Sequence, residues 1–409
     1  MKIIFIVTSF IILGSDLVFA ESETAACNPK AYAELVKCVE QTSAEIAISD
    51  QQLKAANELE SFVRQWTNPD FDFEKLSKGS EKSETTVSLM FNLRFGGKRS
   101  AEIGQAQAEK EKAKAVRDLN VGQARLSTIL ALYRLSHLKS EIALEEESGT
   151  TFSKIVQQFQ RKPALSPEER VSLSVFKIAT ADHKLSLNKL KNEQEALVSN
   201  VSILSSVPKD VILKLLPVSK MNWPDLKTTD EQLVSPSLKI AAADLKIAES
   251  QKVKAEGDSW PDLKVGPVFK VQEDNGNSET FSGVGLSMPL PIFTLNGGGR
   301  SYANQKLTEA QMSYNLEKKK SQNLRSQLAL KYKSTVSLLQ TSLTVKELDD
   351  RHEAIEKEFF RGLVSGALVI EAHRQLFEFV EKRNQSELEA IDSLGQIMIY
   401  DNQFDGVVL

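Results

Sequence analysis

Hydrophobic and polar residues alternate along residues 85 to 95 of the chain. A period of two predicts a β-strand with one apolar and one polar face. The segment also matches the roughly 9 to 11 residues that a tilted strand needs to cross a bilayer. We therefore expect a membrane strand whose lipid-facing side chains are Val87, Leu89, Phe91, Leu93 and Phe95.

Weaker alternation predicts three more strands, which complete two hairpins. The first hairpin spans about residues 70 to 95 and begins with Phe71 and Phe73 between acidic residues. The second hairpin spans residues 261 to 290, with turn-forming residues at 273 to 278. The chain thus supplies four strands.

Each hairpin is followed by a very long helical pattern, over residues 97 to 161 and 298 to 361. At a rise of 1.5 Å per residue, each helix would be about 90 Å long. Shorter helices are predicted before each hairpin and after each long helix, over residues 34 to 66, 168 to 206, 236 to 256 and 366 to 399. The fold class is therefore mainly α with a small β part.

The two halves of this pattern repeat one another with a period near two hundred residues. Trp66 with Pro69 and Asp70 matches Trp260-Pro261-Asp262, and Gly97-Lys98-Arg99-Ser100 matches Gly298-Gly299-Arg300-Ser301. The first structural repeat covers residues 21 to 235 and ends in a proline-containing connector over 207 to 235. The second covers residues 236 to 409, including a C-terminal tail.

Four strands with one apolar face cannot close a barrel, and lipid does not tolerate open sheet edges. Copies of the chain must therefore complete the barrel together. Small barrels need about eight strands, and three copies would supply twelve. The long helices, leaving one end of the barrel, would form a second tube outside the membrane.

The first twenty residues have the features of a secretory signal peptide. Lys2 precedes an apolar run, and small residues up to Ala20 provide a cleavage site before Glu21. The mature chain is therefore expected outside the cytoplasm. Acylation of Cys27 is the alternative processing, although Glu21 and Glu23 separate this cysteine from the apolar run.

An exported chain can form a disulfide between its two cysteines, Cys27 and Cys38. In one straight helix these residues would lie roughly 16 Å apart, beyond the reach of a disulfide. Pairing therefore requires a break in the helix near Asn28-Pro29 or later. The alternative is two separate thiols.

Charge and motif content exclude several classes of function. The net charge of −4, with lysines and glutamates interspersed, argues against nucleic acid as a partner. No triad ordering, nucleotide-binding loop or paired metal ligands stand out. We expect no catalysis, no cofactor and no resident metal. His137 follows Tyr133 on the helical seam and is expected to be packed in the core.

Several motifs together resemble the TolC-type outer-membrane efflux channels. They are the duplicated plan, the run at 283 to 293 that leads into Gly-Gly-Gly-Arg, and the turn Arg361-Gly362-Leu363-Val364-Ser365 followed by Ile370-Glu371-Ala372. The resemblance covers nearly the whole mature chain. It implies a homotrimer with a twelve-stranded barrel in outer-membrane lipid and an α-helical tunnel in the periplasm.

The resemblance also implies partners and the sites that bind them. In this family the turns at the inner end of the tunnel dock on a periplasmic adaptor, which links to an inner-membrane pump. The corresponding residues here are Arg361, Gly362, Leu363, Val364 and Ser365 in the second repeat and Pro163, Leu165 and Ser166 in the first. The first turn departs from the family pattern, since Lys162-Pro163-Ala164 stands where a glycine is expected.

Three carboxylates, Glu168, Glu169 and Glu371, lie within two turns of these tips. In a trimer they would ring the narrow end and attract cations. The alternative is that they are ordinary acidic residues near helix starts, favoured by the helix dipole.

The sequence predicts a passive exit duct for small molecules or metal ions. Two other functions remain open. One is a duct for type I protein secretion, and the other is a periplasmic coiled-coil adaptor or structural protein that never enters the membrane.

Overall fold

The computed structural model describes residues 27–79, 82–220, 222–226, 235–293, 295–361 and 363–404. The expected signal peptide lies outside these residues. The four strands are β1 (Asp70–Lys78), β2 (Lys82–Leu93), β3 (Leu263–Asp274) and β4 (Asn277–Ser287). The helices are α1 (Tyr32–Thr42), α2 (Ala44–Val63), α3 (Lys98–Arg161), α4 (Pro167–Ser205), α5 (Lys209–Lys214), α6 (Pro236–Gly257), α7 (Gly297–Thr341), α8 (Val345–Phe360) and α9 (Gly366–Tyr400).

The strands form one antiparallel sheet in the order β1-β2-β3-β4. The two expected hairpins thus join through β2 and β3, which pair along most of their length. The second hairpin turns tightly at Asn275 and Gly276, whose φ angles are +49° and +87°. Asparagine and glycine tolerate this left-handed backbone, which suits a two-residue hairpin loop.

The strand boundaries differ somewhat from those expected. β2 begins at Lys82 rather than at residue 85 and ends at Leu93, so Phe95 lies beyond the strand. β4 likewise begins and ends earlier than the alternation suggested. Polar residues can extend a strand near a turn because ladder hydrogen bonds involve only the backbone.

The helix expected over residues 34 to 66 is two helices, α1 and α2. Ser43 separates them with an extended backbone, at φ −64° and ψ 120°. The second helix ends at Val63, before the Asn68-Pro69 break that the sequence suggested.

The long helix expected over residues 97 to 161 is present without interruption as α3, which has 64 residues. It begins after Gly97, which has a φ of +77°, and ends at Arg161, just before Lys162-Pro163. A residue that precedes proline is biased away from helical geometry, which explains the stop.

The matching helix over 298 to 361 is instead divided into α7 and α8. Between them, Ser342 has an extended backbone and Thr344 caps α8. The Thr344 hydroxyl accepts a hydrogen bond from the Glu347 amide, and the Glu347 carboxylate accepts one from the Thr344 amide. This reciprocal capping box starts a new helix where hydrophobic periodicity alone suggested continuation.

The helices next to the sheet follow the order of the strands. Among the described residues, α2 packs on α3, α3 on α6, and α6 on α7. Farther from the sheet, α4 packs on α3, α3 on α9, and α9 on α8. The main apolar core joins α1, α3, α4, α5, α7 and α9, with Leu35, Leu132, Leu135, Ile212 and Ile391 fully buried. The result is a mainly α fold built from two similar halves.

Candidate functional site

The expected lipid-facing residues lie on one face of the sheet. The strand register sets Phe71 opposite Leu89, Val87 opposite Phe269, and Val265 opposite Leu286. Directly opposed residues point to the same side. The apolar face so defined contains Phe71, Phe73, Val87, Leu89, Phe91, Leu93, Leu263, Val265, Pro267, Phe269, Val271, Val284 and Leu286.

Much of this face is open to its surroundings. Val284 is 80% exposed, Leu286 68% and Phe71 66%. A water-facing sheet would carry polar residues there. The face becomes polar toward the hairpin turns, at Ser83, Glu273 and similar residues. Phe95, just past β2, is 48% exposed.

The opposite face of the sheet carries charged side chains. Lys82 pairs with Asp274 at 2.7 Å, Lys264 with Asp70 at 2.8 Å, and Lys270 with Glu84 at 2.6 Å. The whole face contains six carboxylates and four lysines: Asp70, Asp72, Glu74, Glu84, Asp274 and Glu279 against Lys78, Lys82, Lys264 and Lys270.

The two predicted docking turns lie at the same end of the helices. An aromatic cluster joins them: the ring centroids of Phe159 and Phe176 lie 6.2 Å apart, and those of Phe176 and Phe359 6.1 Å. Phe159 precedes the first turn and Phe359 the second. A Cβ on Gly366 would lie 2.6 Å from the Phe176 ring, so the start of α9 must approach α4 closely.

The turn residues differ in exposure. Leu363 is 73% exposed, whereas Val364 is half-buried against the aromatic cluster. Arg361 is exposed, and Gly362 lies outside the described residues. In the first turn Pro163 and Ser166 are exposed and Leu165 is half-buried. Leu363 is therefore the most exposed apolar side chain of these turns.

The acidic residues at the tip have local partners. Glu169 forms a capping box with Ser166 and accepts a hydrogen bond from Lys162 at 2.6 Å, which holds its carboxyl pKa below the usual value. Glu371 pairs with Arg374 at 2.7 Å and accepts from Gln375, which also lowers its pKa. Glu168 is exposed. Glu169 thus stabilises the start of α4, as an ordinary acidic residue near a helix start does.

A line of buried polar contacts along α3 was not predicted from the sequence. Glu141, fully buried, accepts from Arg134 and Asn384. Other pairs join α3 to the helices around it: His137 with Glu387, Glu145 with His183, and Ser148 with His373, which also faces Glu356. Helix periodicity conceals such pairs because the partners lie far apart in sequence.

His137 is only 3% exposed, as a core position should be. Within the described part of the chain, no group of three or more side chains is arranged to hold a metal ion. In the same residues, no helix is both long and apolar enough to cross a bilayer.

Cys27 and Cys38 form a disulfide, with their Cα atoms 5.9 Å apart. Cys27 lies before α1, which begins at Tyr32, so the cysteines do not share a helix. The structure therefore contains the break that pairing requires. A sulfur in this bond is not open to lipid attachment.

Comparison with known proteins agrees with this geometry. No family model matches the chain. The cobalt-zinc-cadmium resistance protein CzcC of Cupriavidus metallidurans is 24% identical over 79% of this chain and 80% of its own length. The nickel-cobalt-cadmium resistance protein NccC of Alcaligenes xylosoxydans xylosoxydans is 26% identical over 63% of this chain, and the match spans only 60% of that protein.

A solved structure shows the same architecture. The open state of the MtrE outer membrane channel of Neisseria gonorrhoeae superposes with a TM-score of 0.70, covering 92% of this chain and 89% of that one at 13% identity. The chain has the fold of the TolC-type outer-membrane channels, so the expected resemblance is confirmed.

Proposed function

We propose that the chain is the outer-membrane exit duct of a tripartite efflux system for metal cations. Three copies form the duct, and transport energy comes from an inner-membrane pump joined through a periplasmic adaptor. The observation that carries this proposal is the sheet: a small, exposed apolar face on the fold of an outer-membrane channel.

The edges of the sheet support a closed ring of copies. β1 and β4 each have one neighbour, and lipid does not tolerate the unpaired backbone groups of an edge strand. Pairing β4 of one copy with β1 of the next removes both edges. In the helical layer, α7 then meets the next copy's α2, in the same order as the strands. Repeating this contact around a closed ring gives cyclic symmetry.

The number of copies follows from the size of a barrel. Two copies give eight strands, which side chains nearly fill, whereas three copies give twelve and leave an open lumen. The apolar face then contacts lipid and the charged face lines the passage. Transport through this duct depends on packing and binding surfaces rather than on a catalytic centre.

The proposed cargo rests on the names of the curated relatives and on the charge of the sheet face that would line the lumen. Both curated relatives are named for resistance to divalent metal cations. The charged face of the sheet carries more carboxylates than lysines, and three copies multiply the excess. A negative lumen raises the local concentration of cations and lowers their barrier to passage.

A resistance assay tests this function. Cells lacking the chain should accumulate nickel, cobalt, zinc or cadmium and grow poorly on these metals, and the wild-type gene should restore both properties. Unchanged accumulation and growth, in a strain with no second duct, would contradict metal efflux.

The exposed Leu363 provides a test of adaptor docking. Leu363→Asp places a charge where an apolar contact is proposed, so it should abolish resistance while trimers remain in the outer membrane. Leu363→Met keeps an apolar side chain of similar size and serves as the control. Normal resistance in the Asp variant would reject docking at this turn.

A further inference from the structure

The linker between β4 and α7 is longer than its counterpart in the first repeat. Residues 94–97 connect β2 to α3, whereas residues 288–296 connect β4 to α7. The second linker thus has nine residues where the first has four. Both linkers make the same transition from strand to helix, so the internal repeat does not explain the added residues.

The longer linker begins with an exposed apolar stretch, Met-Pro-Leu-Pro-Ile-Phe over residues 288–293, which we call the proline segment. Leu290 is 66% exposed, Ile292 72% and Phe293 97%. No Asp, Glu, Lys or Arg occurs from residue 280 to residue 299. The proline segment is therefore an uncharged apolar surface beside the sheet.

The backbone of the proline segment has few free hydrogen-bond donors. Pro289 and Pro291 have no amide hydrogen, which also prevents β4 from continuing as a paired strand. The Ile292 amide donates to the Leu290 carbonyl at 2.9 Å. Hydrocarbon offers no partner to a backbone donor, so this segment suits an apolar environment better than an ordinary loop does.

The residues after the proline segment are held against α6. The Ser259 hydroxyl donates to the Leu295 carbonyl at 2.9 Å, and the side-chain amide of Asn296 donates to the Ala255 carbonyl at 2.9 Å. Because α6 ends at Gly257, shortly before β3 begins, these contacts lie beside the end of the sheet opposite its hairpin turns. We call this the helical end of the sheet.

The apolar face of the sheet is short for a membrane barrel. On β2, its apolar residues run from Val87 to Leu93. Six steps of about 3.3 Å give roughly 20 Å along the strand, or about 15 Å along the axis of a barrel whose strands tilt by about 40°. Outer-membrane barrels have apolar bands about 25 Å tall. About 10 Å of the band must therefore come from other residues.

The missing part of the band cannot lie toward the hairpin turns. The next row on the same face of the sheet is mainly polar and consists of Lys75, Thr85, Val271 and Thr280. At the helical end, by contrast, Phe95 extends the apolar face past β2, and Met288 follows Leu286 at the spacing of two that defines this face on β4. The apolar surface thus continues into the proline segment.

We propose that the proline segment inserts among the acyl chains of the periplasm-facing leaflet of the outer membrane and completes the apolar band there. This inference rests on the proposed duct and extends its lipid contact from the sheet to a linker. Three copies place three such segments around the helical end of the barrel. The added length of the linker is then explained, because a four-residue connection would leave this part of the band without apolar side chains.

Spin-label accessibility tests the insertion in the full-length protein. The native cysteines are bonded to each other, so a nitroxide label attaches only to an introduced cysteine. The variant Ile292→Cys is labelled and reconstituted in bilayers of phosphatidylethanolamine and phosphatidylglycerol. Oxygen concentrates in hydrocarbon, whereas a polar nickel chelate stays in water. The ratio of oxygen to nickel accessibility should be roughly tenfold higher at residue 292 than at the exposed helical position of Glu147→Cys.

Two further variants complete the design. Val284→Cys, on the apolar face of β4 where the native side chain is 80% exposed, is the lipid-facing reference and should give a ratio like that at residue 292. Phe293→Cys repeats the measurement on the neighbouring side chain, so the test does not depend on the folding of one variant.

The outcomes separate this inference from the proposed duct. Ready access of the nickel chelate to residues 292 and 293 would place the segment in water, and low access of both reagents would place it beneath a neighbouring copy. Either result, with Val284→Cys still exposed to lipid, would overturn the insertion and leave the duct intact. Ready access of the nickel chelate to residue 284 as well would overturn both proposals.

Discussion

Glu387 is a buried carboxylate on α9 that joins α9 to α3 and to the connector after α5. Its Oε2 atom lies 3.2 Å from Nε2 of His137 on α3 and accepts from the Ser219 hydroxyl at 2.7 Å. Its Oε1 atom accepts from the Lys220 amide. Burial alone would raise the carboxyl pKa, but the hydrogen bonds from His137, Lys220 and Ser219 outweigh it and lower the pKa below 4.5.

Removing this carboxylate should destabilise the protein. Glu387→Leu leaves the buried His137 without its acceptor, and removing one partner of a buried hydrogen bond costs about 1–3 kcal/mol. The free energy of unfolding in detergent, measured with denaturant, checks this loss. The exposed Glu147→Leu should change the same quantity by less than about 0.5 kcal/mol. Equal effects of the two substitutions would contradict the role of Glu387.

The same residue predicts a dependence of stability on pH. Because folding lowers the pKa of Glu387 below the ordinary value of 4.5, the ionised carboxylate stabilises the fold above about pH 4.5. This contribution is lost as pH falls through the folded pKa. Wild type should therefore lose its advantage over Glu387→Leu in acid, and an advantage that grows in acid would contradict the assignment.

Glu371 tests the proposed cation ring at the tip. Glu371→Gln removes its charge and leaves Arg374 less neutralised, so single-channel recording should show a changed conductance or a weaker preference for cations. Glu381→Gln, about 15 Å farther along α9, is the control. Unchanged current in the Glu371 variant would reject a gating role.

The sequence predicted the apolar face of the sheet and the burial of His137 but not the buried polar contacts along α3. Val87 and Leu89 could be assigned to one face of the sheet because apolar and polar residues alternate around them. Glu387 and His137 lie 250 residues apart, and Glu387 and Lys220 lie 167 apart. No local pattern relates such partners, so the fold itself must bring them together.

At the scale of elements, alternation predicted the faces of the strands better than their ends. β2 starts three residues earlier than the apolar pattern because its polar residues still pair with β1 and β3. The division of α7 from α8 carried a local signal, the Thr344-x-x-Glu347 capping box. Hydrophobic periodicity overlooks this signal because it reads apolar positions and not helix caps.

Neighbouring residues of β2 test the two faces of the sheet. Val87→Arg places a charge on the apolar face, where lipid contact would make it cost about 2–4 kcal/mol at mid-membrane depth. Thr86→Arg places the same side chain on the charged face. Yield of folded trimer in outer membranes should fall sharply for Val87→Arg and little for Thr86→Arg. The reverse order would show that the faces are assigned incorrectly.

At the scale of the whole molecule, the internal repeat explains why the chain has two hairpins and two similar sets of helices. Each half contributes one hairpin and the helices around it, and the two hairpins join into one sheet whose edge strands are β1 and β4. The duplicated plan was visible in the sequence through Trp66, Trp260 and the glycine runs. The pairing of the two hairpins into one sheet was not, since strand order across repeats depends on long-range contacts.

The central claim is that copies of this chain close one another's sheets into a barrel with an open lumen. The mass of the detergent-extracted complex from outer membranes, measured by native mass spectrometry, tests it most directly. The account predicts a complex of three chains that leaves the membrane only with detergent. A single chain released into water, with its strands covered by its own helices, would contradict it.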